Sequence, residues 1–341
     1  MRSPLNKRLF RELRGEFGKY LVIFILMTLT IGMVSGFLVA DGSMIQAYEE
    51  SFEKYSIENG HFRTEKKMNN AQIQDIEDLG IKLYENYYVE EALTNGSTMR
   101  IFKNCDEVNK VCLMKGKMPE KPGEIGIDRM YADNNELKVG DTLKSQSGKQ
   151  TWKITGLVAL SDYSCLFQNN NDSMFDSVKF GVSVVCPEEF DSYKADQLNY
   201  SYAWKYNTEP KNEKAEKDIS EDLMEDVAKE VTLEEFVPRY TNQAIIFTGD
   251  DMGGDRSMMI VLLYIIIVIM AFVFAITTSN TIRKEANVIG TLRASGYTRG
   301  ELIRHYMAAP VFVTFIGAII GNIIGYTVGK DYCAGLYYGS Y

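Results

Sequence analysis

Catalytic residue types are scarce in this chain, and their spacing predicts no active site. Its 341 residues include only two histidines, His61 and His305. Neither has a serine or cysteine partner that spacing would identify, as nucleophilic catalysis with a histidine base requires. The 46 Asp and Glu residues are so widely spread that any choice of an acid–base pair would be arbitrary. The sequence therefore favours a protein that is not itself an enzyme.

The cysteines also lack the spacing of a metal site. No CxxC pair occurs, and an odd count of five does not by itself form a disulfide framework. We expect free thiols, with a Cys105–Cys112 bridge as the open alternative. The five positions are Cys105, Cys112, Cys165, Cys186 and Cys333. No GxxxxGK(S/T) run is present to cradle nucleotide phosphates, so we expect no metal or cofactor in this chain.

Composition separates the chain into apolar and polar parts. Apolar residues make up 45% and charged residues 24%, which is typical of folded protein. The net charge of -9 argues against a nucleic-acid partner, because phosphate contacts need clustered Lys and Arg. The mean hydropathy of -0.17 conceals three uncharged apolar runs. Any account of the protein has to explain those runs.

Each run is long enough to cross a membrane. They are Tyr20–Ala40, Met258–Ile276 and Met307–Gly329. At about 1.5 Å per residue, about 20 helical residues span a hydrocarbon core of about 30 Å. A buried helix in a soluble core could explain one run but hardly three. The first is also longer than the apolar part of a cleaved signal peptide, which is usually about 7 to 15 residues.

Loop charges predict the orientation in the cell membrane. Residues 1–19 and 282–305 together carry eleven Lys and Arg, whereas the segments flanking the other ends of the runs carry three. By the positive-inside rule, the N-terminus and 282–305 are cytoplasmic. The predicted order is a cytoplasmic amphipathic helix 1–19, transmembrane helix 20–40, extracytoplasmic domain 41–257, transmembrane helix 258–281, cytoplasmic coupling loop 282–305, transmembrane helix 306–329 and extracytoplasmic tail 330–341.

The segment 41–257 has the pattern of a mixed α and β domain. It carries 25 Lys and Arg against 41 Asp and Glu, which favours a solvated exterior. Helices are expected within 69–79 and 211–235, and Gly249, Gly253 and Gly254 are expected to loosen the chain before the second crossing. Segments rich in β-branched and aromatic residues predict strands at 81–93, 97–103, 151–160 and 178–186. The predicted fold class is an α-helical membrane protein with three transmembrane helices and a large inserted α+β domain.

The loop 282–305 has the signals of a helix, a sharp turn and a second helix. Gly296 is placed to end the first helix, and Thr298 with Glu301 forms a capping box for the second. The connection is longer than the 2 to 8 residues that usually join neighbouring helices. A solvated hairpin would explain its positive charge but not its length. We therefore expect a surface that docks a partner.

Glycines in the crossings predict close helix packing. Gly317, Gly321, Gly325 and Gly329 are each four residues apart, and Gly32 and Gly36 repeat the spacing in the first crossing. Such a stripe lets another helix backbone approach closely. Glycine is also simply common in membrane helices, which is the open alternative.

Two stretches resemble FtsX-like, MacB-type permeases of ABC transporters. VIGTLRASGYTRGELI, from Val288 to Ile303, is similar to the family's EIGxLRAxG segment, with Val288 in place of the usual acid. Gly116–Lys144 looks like the family's GxxPxxPGEIxI…LxxGD segment, and Trp152–Ala159 resembles the strand that follows. The resemblance extends to the order of the whole chain. Because the family unit usually has a fourth crossing, we expect this chain to be an N-terminal half or fragment.

The resemblance implies a mechanical role. The domain 41–257 would be of the MacB periplasmic-core type, and an unbroken helix from about Met258 to Ala294 would transmit motion from an ABC ATPase partner that binds ATP–Mg²⁺. Other implied partners are a second permease copy or homologous half and membrane lipid, with no nucleic acid. The implied cargo is a lipid, lipoprotein, peptide or hydrophobic drug; the alternative is a signalling subunit that regulates a cell-wall hydrolase or senses antimicrobial peptide. The implied ATPase-coupling residues are Arg283, Lys284, Glu285, Ile289, Gly290, Leu292, Arg293, Gly296, Arg299 and Glu301.

Overall fold

The computed structural model describes residue 11 and residues 14–340, so the predicted amphipathic helix over 1–19 lies largely outside the described residues. The chain forms two compact units. One comprises the residues up to Gln46 together with Met252–Ser340, and the other comprises Ala47–Asp251.

The elements alternate between long helices and a strand-rich insertion. In chain order they are α1 (Phe17–Lys54), β1 (Gly60–Thr64), α2 (Asn70–Glu77), β2 (Ile81–Glu85), β3 (Tyr88–Ala92), β4 (Thr98–Lys103), β5 (Cys112–Gly116), β6 (Glu124–Asp128), α3 (Arg129–Asn134), β7 (Thr142–Lys144), β8 (Thr151–Ala159), β9 (Phe180–Val185), α4 (Pro187–Phe190), β10 (Tyr200–Tyr206), α5 (Glu213–Glu230), β11 (Leu233–Pro238), α6 (Gln243–Lys284), α7 (Ala286–Ala294), α8 (Arg299–Ile324), a π-helix (Gly325–Gly329) and α9 (Lys330–Ser340). Short 3₁₀ turns cover Ala195–Gln197 and Arg239–Thr241.

Three helices are long and apolar enough to cross a membrane. Within the described residues these are Phe17–Lys54, Gln243–Lys284 and the continuous helical stretch Arg299–Tyr338. Each contains one of the uncharged runs. Together with the α+β unit, they confirm the predicted fold class.

The α+β unit contains two sheets. The first has four antiparallel strands in the order β11-β1-β10-β2. The second has seven strands, in the order β3-β4-β9-β6-β8-β5 with β7 paired to β8. The predicted strands at 97–103, 151–160 and 178–186 are present as β4, β8 and β9.

The predicted strand region at 81–93 is present but divided into β2 and β3, because the chain changes sheets there. β2 pairs with β10 in the first sheet, whereas β3 pairs with β4 in the second. The change occurs at Tyr87, whose ring packs edge-on against Tyr200 and Tyr202 at 5.3 Å. Its hydroxyl donates to the Tyr202 hydroxyl at 2.8 Å. A buried aromatic anchor thus ends one strand and starts the next.

The core of this unit includes residues of both sheets, and an aromatic part of it lies on one face of the first sheet. Phe62 and Trp204 are fully buried, and Trp204 stacks on Phe236 at 4.8 Å. Helix α5 covers them with Leu223 and Val227, while Ile219, four residues before Leu223, is 43% exposed. Because side chains alternate along a strand, the neighbours of Phe62 on β1 point to the opposite face of the sheet.

The glycines at 249, 253 and 254 do not loosen the chain, contrary to the prediction. All three lie inside α6. At Gly249, a Cβ atom would lie 2.6 Å from Cε1 of Tyr48. The Tyr48 hydroxyl donates to the carbonyl of Ile245 at 3.1 Å. Gly249 therefore provides room for a neighbouring ring rather than a hinge.

Candidate functional site

The helix that contains the second apolar run ends earlier than predicted. We expected it to continue unbroken to Ala294, but α6 ends at Lys284 and Glu285 has φ -99° and ψ 12° before α7 begins. Backbone hydrogen bonds are still present on both sides of the break. Glu285 N donates to Thr281 O at 3.0 Å, and Ile289 N donates to Glu285 O at 2.9 Å. The hydroxyl of Tyr306 donates to Glu285 Oε2 at 2.5 Å. This bond across the hairpin holds Glu285 where the helix bends.

The turn between α7 and α8 is closed by backbone and side-chain caps. Gly296 has φ +96°, a conformation that favours glycine. Its N–H donates to Arg293 O at 3.1 Å, and the N–H of Tyr297 donates to Leu292 O at 3.2 Å, which is a Schellman motif. The predicted capping box is present: Thr298 Oγ1 accepts from Glu301 N at 3.3 Å, and Thr298 N donates to Glu301 Oε2 at 2.8 Å. The hairpin is therefore a defined structural unit rather than a loose loop.

An apolar groove of about 350 Å³ lies along this hairpin. Its lining combines aliphatic and aromatic side chains with two arginines. The lining residues are Thr278, Ile282, Ile289, Arg293, Arg299, Leu302, Ile303, Tyr306 and Met307. Three of them, Ile289, Arg293 and Arg299, belong to the predicted coupling set. The structure thus brings together an apolar floor and cationic side chains that lie apart in sequence.

The other predicted coupling residues lie outside this groove. Arg283 lines a neighbouring shallow groove, and Glu285 contacts the first groove through Tyr306. The side chain of Leu292 is half-buried, and a Cβ atom built on Gly290 would meet nothing within 4 Å. Exposed positions complete the set: Lys284, Gly296 and Glu301.

Sequence reasoning missed the α8 side of the groove. Leu302 and Tyr306 are buried, and Met307 is partly exposed at the groove's edge. Leu302 and Tyr306 are four residues apart on a capped helix and so share one face, a signal that could have identified them. Leu302 lies within the predicted coupling loop 282–305 and Tyr306 begins the predicted transmembrane helix 306–329, but neither belongs to the predicted coupling set.

Positive charge surrounds the groove. Five cations are exposed on this part of the chain: Arg283, Lys284, Arg293, Arg299 and Arg304. Arg293 also donates to the backbone carbonyl of Tyr297 at 3.0 Å, which orients its guanidinium. An apolar groove with a cationic rim is suited to a protein surface that presents an apolar side chain flanked by acids.

The glycine stripes of α1 and the third apolar helix face each other. A Cβ on Gly32 would lie 3.2 Å from Gly321 O, and one on Gly36 would lie 2.8 Å from the carbonyl carbon of Gly329. A Cβ on Gly325 would collide with Ser35 Oγ and would lie 2.7 Å from Gly32 O. Gly317 is less tight, since its Cβ would lie 3.3 Å from Met27 Cβ. The backbones therefore approach too closely for larger residues at several of these positions.

The five cysteines are free thiols. Cys165, Cys186 and Cys333 are buried, whereas Cys105 and Cys112 are half-buried and unpaired. The Tyr55 hydroxyl donates to Cys112 Sγ at 3.3 Å. The thiol of Cys112 is thus engaged in a hydrogen bond rather than in the alternative bridge to Cys105.

Comparison with known proteins gives a family match for the C-terminal helices of the chain. Residues 260–338 match the FtsX-like permease C-terminal family, a range that includes the hairpin, the groove and the glycine stripe of the third helix. A comparison with curated proteins gave no match.

Two solved structures are similar to part of the chain. The periplasmic region of MacB from Actinobacillus actinomycetemcomitans is 14% identical over 50% of this chain and 85% of that one, with a TM-score of 0.28. The extracellular domain of the noncanonic ABC-type transporter YknZ from Gram-positive bacteria is 12% identical over 52% of this chain and 98% of that one, also with a TM-score of 0.28. The match of residues 260–338 to the FtsX-like permease C-terminal family confirms the resemblance found in the sequence.

Proposed function

We propose that this chain is the permease subunit of an ABC transporter and that a partner ATPase docks on the α7–α8 hairpin. The observation that carries the proposal is the FtsX-like match over 260–338, which contains the capped hairpin and its cation-rimmed groove. The chain has no nucleotide-binding loop sequence, so ATP–Mg²⁺ would bind to the partner.

The hairpin has the properties that a force-bearing contact needs. Its turn is held by the Gly296 backbone bonds and the Thr298–Glu301 capping box, and its bend is held by the Tyr306–Glu285 bond. These contacts resist local deformation, so displacement of α7 by the partner would be passed to α6. Helix α6 covers Gln243–Lys284, from the end of the α+β unit through the second apolar run. Motion could then reach the α+β unit through one continuous helix.

In this proposal the protein lies in the cell membrane with 41–257 outside. The positive charge of the hairpin supports a cytoplasmic position for it. Within the three apolar runs the sequence has no charged residue, whereas ion pathways usually require intramembrane charges. We therefore favour export or extraction of a lipid, lipoprotein, peptide or hydrophobic drug, together with a second permease copy or homologous half.

Co-purification of ATPase activity tests the docking. The tagged full-length chain is expressed in its native host, extracted in mild detergent and assayed for vanadate-sensitive ATP hydrolysis. Gly290→Trp places a large side chain in open space, so it should leave folding intact but block the close approach of a partner. The matched control is Gly335→Trp, where a Cβ also meets nothing within 4 Å but the site lies far along α9.

We expect ATPase activity with the unchanged chain and with Gly335→Trp, and a loss of at least tenfold with Gly290→Trp. Leu292→Asp should have the same effect. Equal activity in all of the variants, or none with the unchanged chain, would show that the hairpin is not an ATPase-docking surface. ATP-dependent release of lipid or peptide from vesicles would then separate transport from signalling through a cell-wall hydrolase.

A further inference from the structure

The α+β unit contains a polar cavity that none of the predicted functions uses. It has a volume of about 230 Å³ and is lined by residues from both sheets and from the loop after β8. Its walls include His61 and Arg63 of β1, Arg100 of β4, and Asp162 with Tyr163 of the loop. His61 and Arg63 alternate with Phe62, so they lie on the face of the first sheet opposite the aromatic core.

A chain of hydrogen bonds connects the carboxyl groups beside this cavity. Glu58 Oε1 lies 2.6 Å from His61 Nδ1, and Glu58 Oε2 accepts from Asn109 Nδ2 at 2.7 Å. The same Asn109 amide donates to Asp162 Oδ2 at 3.1 Å, and the nearby Asn86 side chain also favours the charged form of Asp162. Both Glu58 and Asp162 are buried, with exposures of 1% and 6%. The amide of Asn109 thus links two carboxyl groups that would otherwise repel each other.

The cations around the cavity are already paired. Arg100 donates to Glu90 Oε1 from both Nη2 at 2.6 Å and Nε at 3.0 Å, and it also donates to the Tyr163 hydroxyl and the carbonyl of Gln168. Arg63 Nη1 contacts Glu234 Oε2 at 2.9 Å, and the imidazole of His61 contacts Glu58. Each positive group therefore has its own carboxylate.

Asp162 differs from the other acids because it lacks a counter-ion. None of the ion pairs formed by the described residues includes it. It accepts a hydrogen bond from the neutral amide of Asn109, and the nearby His61, which also favours its charged form, is already paired with Glu58. Burial, together with the nearby Glu58 carboxylate, raises the pKa of Asp162 to about 7. A buried carboxylate that faces a polar cavity without a cation is costly unless a ligand supplies one.

The remaining walls suit an organic cation. Phe102, Tyr163 and Phe167 line the same cavity as Asp162. Aromatic rings attract ammonium groups through their π faces, and amide oxygens of nearby asparagines can accept the ammonium hydrogens. The volume is below the range of about 300 to 1,000 Å³ that is usual for drug-sized ligands, so only a head group with a short stem would fit.

We propose that this cavity binds the primary ammonium group of a small organic amine, with Asp162 as its counter-ion and the aromatic walls around its stem. The ammonium group donates to the carboxylate of Asp162 and supplies the ion-pair partner that Asp162 lacks among the described residues. Neither the proposed ATPase docking nor the proposed transport depends on this site.

Calorimetric titration of the full-length chain in uncharged detergent micelles tests the proposal, with n-butylammonium as the probe. Empty micelles correct for partitioning. Butan-1-ol, which has the same stem without the charge, is the ligand control. We expect saturable binding of n-butylammonium at about millimolar concentration and none of butan-1-ol. Asp162→Asn should weaken the binding at least tenfold. Asp191→Asn, which removes an exposed acid paired with Lys103, should not change it.

A second comparison needs no variant and so does not depend on the folding of Asp162→Asn. The quaternary n-butyltrimethylammonium ion carries the same charge but cannot donate a hydrogen bond. The unchanged chain should bind the primary amine at least tenfold more tightly than this ion. Equal affinity for the two ions, unchanged affinity in a folded Asp162→Asn variant, or no saturable binding of n-butylammonium would each overturn the proposal.

Discussion

At the scale of single residues, the hairpin is held by a hydrogen bond that local sequence spacing does not predict. The Tyr306 hydroxyl and Glu285 are 21 positions apart, and the bond between them is 2.5 Å long. It joins a half-buried carboxylate at the bend of one helix to a buried ring on the next. Hydrogen bonds to charged groups contribute about 1.5 to 3 kcal/mol when they are partly buried.

Removal of the Tyr306 hydroxyl should therefore destabilise the helical unit. We expect Tyr306→Phe to lower the free energy of unfolding by about 1 to 3 kcal/mol, measured by thermal unfolding in detergent. Tyr264→Phe is the matched control, because that side chain is 65% exposed on α6. A loss of stability with Tyr264→Phe equal to that with Tyr306→Phe would contradict a specific role for the bond.

The turn also requires glycine at position 296, because the backbone there has a φ of +96°. Gly296→Ala would place a Cβ in a conformation that L residues rarely adopt, although the surrounding space is open. We expect a loss of about 1 kcal/mol in unfolding free energy, read as a lower Tm. Gly300→Ala, on helix α8 with equally open space, should be neutral or slightly stabilising. A reversed order of the two Tm values would refute this account of the turn.

At the scale of elements, the contact between α1 and the third apolar helix depends on close backbone approach. The atoms around Gly36 leave no room for a methyl group, whereas Gly42 on the same helix has nothing within 4 Å. The tight contact coincides with the π-helix at Gly325–Gly329, which follows α8. Packing and backbone irregularity thus occur at one place, as is common where a helix adjusts to a neighbour.

Gly36→Ala should therefore disrupt the contact between α1 and the third apolar helix. We expect a loss of about 1 to 3 kcal/mol from overpacking, measured as a lower Tm in detergent. Gly42→Ala should keep or raise the Tm, since alanine is favoured over glycine by up to about 1 kcal/mol in a helix interior. If both variants unfolded at the same temperature, the close approach of the two backbones would not contribute to stability.

At the scale of the whole molecule, the α+β unit holds several buried ionisable groups. Burial raises the pKa of Asp162 to about 7 and that of Asp128 to about 6. Burial opposes the charged form of His61, but the adjacent Glu58 carboxylate outweighs it and raises the pKa of His61. All three groups bind protons more tightly in the folded state than in the unfolded chain.

This arrangement predicts that the unit is more stable in mild acid than in mild base. The two Asp contributions are fully present below about pH 4 and are lost as the pH rises to about 7, and the His61 contribution is lost as the pH rises through its folded pKa. Because one pKa unit corresponds to about 1.4 kcal/mol, we expect the Tm to fall by about 5 to 10 °C between pH 5 and pH 8.

Tryptophan fluorescence measures this effect selectively, because both tryptophans of the chain, Trp152 and Trp204, lie buried in this unit. Asp162→Asn should flatten the pH dependence, whereas Asp191→Asn, which alters an exposed ion pair, should leave it unchanged. A Tm that rises from pH 5 to pH 8 would contradict the predicted sign.

Features that depend on near neighbours in sequence were predictable. The capping box of Thr298 and Glu301 and the stop at Gly296 need only residues within one turn, so local spacing was enough to locate them. The apolar runs were equally clear, because a membrane requires about 20 uncharged residues in succession. The amino-acid sequence by itself therefore determined the class of the protein, its long helices and the shape of its hairpin turn.

Features that depend on distant residues were decided by tertiary structure alone. The chain changes sheets at Tyr87 because Tyr200 and Tyr202 surround its ring, and the helix bends at Glu285 where Tyr306 holds the carboxylate. The cavity beside Asp162 likewise forms only where two sheets and a loop meet. Such contacts join side chains that are far apart along the chain, so the local spacing of residues does not predict them. Burial then changes the protonation and the hydrogen bonding of the side chains in this cavity, so the cavity beside Asp162 can be recognised only in the folded chain.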